Sequence, residues 1–306
     1  MKKRVVEMFM TRVDFIVTLV LTAMAPIVWG STYIVTTELL PANSPLVAAT
    51  MRALPAGILL VLAGRVLPQG HWWSRLAILG LLNIGLFFFC LFYAANALPG
   101  GMAALLMSMQ PIFVMIFGFV LLNSDLSMHQ LCAGFIGIAG IALLVFSTPS
   151  ELDTSGIWVG LLGAASMASG VVLTKRWGRP KNMTLLSFTG WQLLFGGVLL
   201  LPIALEQEGL PAHLTSTAWL GYGYLGLVGA VMAYALWFRG IEKLPATTVS
   251  FLGLLSSVSA VLLGYLILDQ ALTPLQCVGA ISIFLSIILA AQKATSNRPL
   301  RVQQAV

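Results

Sequence analysis

The chain has 306 residues, 59% of them hydrophobic and only 8% charged, with a formal net charge of +6. A soluble domain needs about 25% charged residues to cover its surface, so water is excluded as the main solvent. The basic excess does not point to nucleic acid, because phosphate binding needs a contiguous basic patch on a wet surface. Here Lys and Arg stand in small groups between long apolar runs.

Lys2, Lys3, Arg4 and Arg12 precede an apolar stretch of about 22 residues, longer than the ~7–15 of a signal-peptide core. Pro26 directly follows Ala23-Met24-Ala25, the one plausible small-residue cleavage site, so the stretch reads as a retained first span. Charge-free windows place the others, since an ionised group at the bilayer centre costs several kcal/mol and a crossing helix takes ~20 residues. The uncharged run 76–124 is too long for one span and breaks at Pro99-Gly100-Gly101. The fold class predicted is all-α integral membrane, with ten transmembrane helices at about 15–36, 44–64, 76–97, 102–122, 129–147, 156–174, 184–205, 217–238, 246–268 and 273–292. No long loop is left over for a soluble domain.

With the N-terminus in the cytoplasm, 15 of the 16 Lys and Arg fall on the cytoplasmic side, and only Arg52 lies inside a span. Glu38, Glu151, Asp153, Glu206, Glu208 and Asp269 fall outside. A missed helix would flip every later loop and spoil this sorting, so both termini, including a tail at 293–306, are expected inside.

A shift of 146 residues superposes Leu98-Pro99 on Leu244-Pro245, Gly118 on Gly264, Leu126 on Leu272 and Gln130 on Gln276. This divides the chain into five-helix halves, 1–147 and 148–292. Five is odd, so the second half enters the membrane upside down. Inverted repeats are the architecture of many secondary transporters, with the substrate held near the midplane where the halves meet.

Trp29-Gly30-Ser31-Thr32-Tyr33 late in the first span, Arg52 in the second, and the paired G-x(7)-L-x(3)-Q endings of the two halves resemble the EamA branch of the drug/metabolite transporter (DMT) superfamily. The stretch Trp29–Pro41 is most similar to the PecM-type exporters within that branch. The resemblance implies a multi-pass carrier of the inner (plasma) membrane that exports small metabolites. Family members often carry Glu where this chain has Asn123 and Asp269.

Arg52 is the sharpest single signal. It either snorkels to the outer surface or locks packing on a carbonyl, or it faces a wet cavity and holds a carboxylate through two parallel hydrogen bonds. Ionisable groups inside spans are functional by default, which favours the second reading. Trp29, Tyr33, Asn83, Tyr93, Gln110, Trp191, Gln192, Tyr234 and Ser256 are further substrate-binding candidates, because pockets combine aromatic walls with a few placed polar groups. Helix–helix hydrogen bonding is the competing fate of each. Gly156, Gly160, Ala164 and Ala168 recur every four residues as a face for close packing, and Trp72 and Trp73 beside Arg65 and Arg75 read as an interfacial anchor.

No Asp or Glu falls at a predicted span centre, which argues against a simple carboxylate-based proton antiporter. There is no G-x-x-x-x-G-K-[ST], so no nucleotide is expected. Cys90, Cys132 and Cys277 and the scattered histidines form no metal-ligand or catalytic cluster, so neither enzyme chemistry nor a cofactor is expected. The expected partners are a small-molecule substrate and the lipid bilayer, with a homodimer left open. The leading reading is a secondary carrier that exports amino acids or related polar metabolites by alternating access. A drug or dye efflux carrier is the alternative, and a membrane-embedded enzyme or sensor is less favoured.

Overall fold

The structure is a computed structural model that describes residues 12–41, 44–98, 102–125, 127–145, 153–209, 211, 213–269 and 273–292, without the side chains of Arg12, Tyr33, Asn96, Met102, Leu144, Val145 and Gln292. The basic cluster Lys2-Lys3-Arg4, the Pro99-Gly100-Gly101 break and the tail 293–306 lie outside the described residues. Among those described, nine helices are long and apolar enough to cross a membrane. They are Val13–Glu38, Pro45–Gly64, Trp72–Ala95, Ala103–Leu122, Thr154–Trp177, Leu185–Gln207, Ser216–Lys243, Ala246–Leu268 and Pro274–Ala291. Met128–Leu143 is a shorter apolar helix in the fifth position. The protein is thus a ten-helix membrane bundle with no strand among its described residues.

Lipid gives helices no hydrophobic reason to associate, so close approach of small residues must do that work. The second span packs along the seventh and the fifth along the tenth. In the first of these pairs, a Cβ on Gly190 would come 2.6 Å from the Leu60 side chain, and one on Gly197 would come 2.7 Å from the Leu54 backbone. Gly57 in turn lies on the backbone of Leu194. The sixth span lays its small-residue face, Gly156, Gly160 and Gly163, on Leu98, Leu106 and Cys90 of the third and fourth span region.

The 146-residue offset recurs in the backbone. Pi-helical turns interrupt the third span at Leu81–Gly85 and the eighth at Leu227–Met232. The fourth span breaks between Met107 and Gln110, the ninth between Leu252 and Leu255. Asn123 and Asp269 both end their helices in the left-handed conformation, at φ 50° and 51°, donating to the carbonyls of Gly118 and Gly264. Asn and Asp are among the few non-glycine residues that tolerate this geometry. Positions 123 and 269 therefore act as helix stops.

Packing between spans obeys the same exchange. The third span packs on the sixth as the first packs on the eighth, and the fourth on the sixth as the first on the ninth. The exchange is not complete, since the sixth and eighth spans, for example, touch at the end where both finish. The first span runs through Pro26 to Gly30 and breaks at Ser31. There the Ser31 amide closes a tight turn on the Val28 carbonyl at 3.1 Å, and Ser31 Oγ donates to the same carbonyl at 2.6 Å.

Candidate functional site

A cavity of ≈ 170 Å³ lies between the two halves. At one end it is lined by Thr36, Ala95 and Ala104, where the first, third and fourth spans finish or begin. At the other it reaches Gln110, Trp237, Gly253 and Ser256. Both helix breaks, in the fourth and ninth spans, border it. Its walls are aromatic, with Trp29, Phe87, Phe88, Phe92, Tyr234 and Trp237. Among the described residues no Asp, Glu or His lines it.

Arg52 enters this cavity from the second span and is 7% exposed. Its Nη2 donates to the Gly229 carbonyl at 2.8 Å, and Nη1 lies 3.5 Å from Thr32 Oγ1. The guanidinium sits over the rings of Phe88 and Tyr234, 5.2 and 5.8 Å from their centroids. No salt bridge among the described residues reaches it, and Nε has no partner. Gly229 lies in the pi-helical turn of the eighth span, where the widened ladder leaves a carbonyl free for side chains. It accepts from Trp29 Nε1 at 3.0 Å as well as from Arg52.

The equivalent position in the other half is chemically neutral. Arg52 stands seven residues after the first helical residue of the second span, Pro45, and Gln192 stands seven after Leu185 of the seventh. Gln192 meets the third residue of the third span's pi-helix, as Arg52 meets the third residue of the eighth span's. That residue is Asn83, whose Nδ2 donates to Gln192 Oε1 at 2.8 Å and lies 3.3 Å from Thr174 Oγ1. Asn83 and Gln192 are both fully buried. One half carries a charged group open to a cavity, and the other a closed amide pair.

Of the residues singled out from sequence, Arg52, Trp29, Gln110, Tyr234 and Ser256 come together in the cavity. Asn83 and Gln192 bond each other away from its lining. Trp191 donates to the Val66 carbonyl at 2.9 Å and packs on Trp73 near the end of the bundle. Tyr93 lines a neighbouring cleft of ≈ 340 Å³ with Phe89, Phe92 and Glu208. Tyr33 stands on the short helix Thr32–Glu38, and its side chain is not among those described. Sequence reasoning missed Trp237, Phe88 and Gly253. Trp237 had a usable signal, since it follows Tyr234 by three residues and so shares its helix face.

The far end of the bundle is clamped. Lys175 Nζ, at the end of the sixth span, donates to the carbonyls of Glu242 and Leu244 at 2.8 and 2.9 Å. Arg179 Nε pairs with Glu242 Oε1 at 2.7 Å and Nη1 donates to the Met183 carbonyl. None of these clamp residues lines the cavity.

Comparison with known proteins agrees with this architecture. The model of the EamA-like transporter family matches the chain twice, over residues 16–146 and 154–292. Protein PecM of Dickeya dadantii is 47% identical over 91% of this chain and 94% of its own length. The inner membrane transporter YedA of Escherichia coli K12 is 30% identical over 78% of each chain. One solved crystal structure, 18% identical, superposes with a TM-score of 0.76 over 91% of this chain and 99% of that one, a likeness of fold. The chain is a member of the EamA-like transporter family, within the DMT superfamily.

Proposed function

We propose that the protein is a secondary carrier that exports a small carboxylate-bearing metabolite, an amino acid or a close relative, across the inner membrane by rocking one five-helix half against the other. The observation that carries this is Arg52. It is a buried guanidinium in the inter-half cavity, held by a carbonyl and two rings, and no counter-ion reaches it among the described residues. A carboxylate bound there would complete its charge and its free Nε donor. Export follows from the family resemblance, and the orientation from the sorting of basic residues.

In that orientation the cavity faces outward and the Lys175–Arg179–Glu242 clamp closes the cytoplasmic end. The opposite state requires the clamp to open. With no Asp, Glu or His in the described cavity lining, coupling runs through substrate exchange or gradients rather than through a proton carried by a cavity carboxylate. The aromatic walls favour dye efflux as a second reading, but a fixed cation repels the lipophilic cations typical of such carriers.

The test is purified protein in liposomes, challenged with labelled amino acids, organic acids and cationic dyes with and without a proton gradient. Uptake of carboxylates and not of dyes is expected. Movement of dyes alone, or of no solute under any gradient, overturns the proposal.

A further inference from the structure

Three buried donors in the cavity lack an acceptor, and only one of them belongs to Arg52. The others are Gln110 Nε2 and Trp237 Nε1. Trp237 is 1% exposed. Both residues border the break in the ninth span, since a Cβ placed on Gly253 would lie 3.6 Å from Gln110 Oε1 and 3.6 Å from Trp237 Cη2. Several other polar groups nearby are already served. Trp29 Nε1 bonds Gly229, Ser108 Oγ bonds Leu105, and Ser256 Oγ bonds Gly253, each on a carbonyl. Among the described residues of the lining, the buried donors left without an acceptor therefore fall at two places, the Arg52 guanidinium and the Gln110–Trp237 pair.

Resting on the carboxylate reading above, we propose that Gln110 and Trp237 form a second subsite that selects substrates with a neutral carbonyl at the far end from the carboxylate, a carboxamide above all. A carbonyl oxygen has two lone pairs, enough for both Trp237 Nε1 and Gln110 Nε2. A carboxamide also brings an N–H for Gln110 Oε1, completing a reciprocal amide pair. A second carboxylate fits less well, because among the described residues Arg52 is the only cation in the lining and a further buried anion would be left unpaired. An apolar end fits less well too, since it would strip solvent from two donors and return nothing. Sites built from buried donors reject analogues lacking the acceptor more strongly than apolar pockets reject a missing methylene.

The experiment uses near-isosteric competitors against carrier in proteoliposomes: asparagine, aspartate and leucine, and the deaminated pair succinamate and 4-methylpentanoate. Wild type is expected to prefer asparagine over leucine, and succinamate over 4-methylpentanoate, by about 3- to 10-fold, the worth of one neutral hydrogen bond. Aspartate is expected to rank below asparagine. Trp237→Phe and Gln110→Leu, purified as monodisperse protein, are each expected to cut the asparagine-to-leucine ratio by a similar factor. Equal handling of the amide and its apolar isostere by wild type overturns the subsite and leaves the carboxylate reading intact. So do variants that slow both members of a pair equally. If no acid competes at all, the carboxylate reading itself falls.

Discussion

Arg52→Met separates a binding arginine from a structural one. Methionine nearly matches the length of the arginine stem and removes charge and donors together. The missing interaction with a substrate carboxylate is a charge-assisted hydrogen bond, worth about 1.5–3 kcal/mol. At about 1.4 kcal/mol per decade this lowers kcat/KM roughly 10- to 150-fold. The folded protein should tolerate the change. The Gly229 carbonyl keeps its bond from Trp29 Nε1. The cation–π attraction of Phe88 and Tyr234 disappears, but so does the desolvation cost of a buried cation that no salt bridge reaches among the described residues. Replacing a buried, uncompensated charge by an apolar group is commonly neutral or stabilising. Arg52→Lys should fall between wild type and Met, since a single ammonium cannot serve the Gly229 carbonyl and a carboxylate with the geometry of a fork. The assay is initial-rate counterflow of labelled substrate in proteoliposomes, paired with thermal unfolding of the same preparations in detergent. Wild-type transport by Arg52→Met would refute the anchor. So would a fall in Tm large enough to account for the lost activity.

Other consequences can be measured with the same material. Gly57→Leu should lower stability by at least about 1–3 kcal/mol, because its side chain would meet the backbone of Leu194. Gly223→Ala, with nothing within 4 Å of its added Cβ, should be neutral or gain up to about 1 kcal/mol, as for glycine in any helix interior. Asn83→Leu and Gln192→Leu should each destabilise the protein, with a positive coupling near ~0.6 kcal/mol in a double-mutant cycle read by thermal unfolding. Substrate affinity should stay unchanged, because the pair lies off the cavity lining. Glu242→Gln removes a partly exposed ion pair worth up to about 1 kcal/mol. It should raise the inward-open population by up to about 5-fold, read as faster thiol labelling of a cysteine placed at the clamp, and no change in labelling would refute the clamp. Asp153 caps the sixth span, and bonds from the Ser155 hydroxyl and from the Ser155 and Gly156 amides hold its carboxyl below the usual range. Its contribution is thus full above the ordinary aspartate pKa and is lost as pH falls through the lowered one. The stability gap between wild type and Asp153→Asn should close as pH falls below the ordinary aspartate range.

Much of this architecture could be read from charge alone. Ionised residues are so costly in lipid that they mark where spans end, and the described helices agree with the windows between them to within several residues. Arg52 was legible for the same reason, being the one cation that violated the rule. What charge could not reveal was who satisfies whom. Asn83 and Gln192 have the composition of cavity residues, but a hydrogen bond between the third and seventh spans closes them off, and nothing local to either residue announces it. Trp191 reads as a pocket aromatic, yet its indole N–H is taken by a carbonyl at the end of the second span. The pi-helical turns were silent too. Leu-Leu-Asn-Ile-Gly and Leu-Val-Gly-Ala-Val-Met are ordinary apolar stretches, and only their shared offset marks them as one device used twice.

A carrier made of two inverted halves has a counterpart for every group, and a single substrate needs only one anchor. Positions 52 and 192 are such counterparts, each seven residues into its helix and each against a pi-helical turn. Arginine at one and glutamine at the other turn a symmetric scaffold into an asymmetric site. The location matters as much as the charge. Gly57 lies on Leu194 and Gly197 on Leu54, so the second and seventh spans mirror each other about a point near Pro55 and Ala56, roughly one helical turn from Arg52. In the proposed rocking motion, groups near that point move least. On the proposed reading, a guanidinium placed there stays on the carboxylate while the spans around it exchange which end is clamped. An arginine farther along the same helix would be carried through a larger displacement by the same motion.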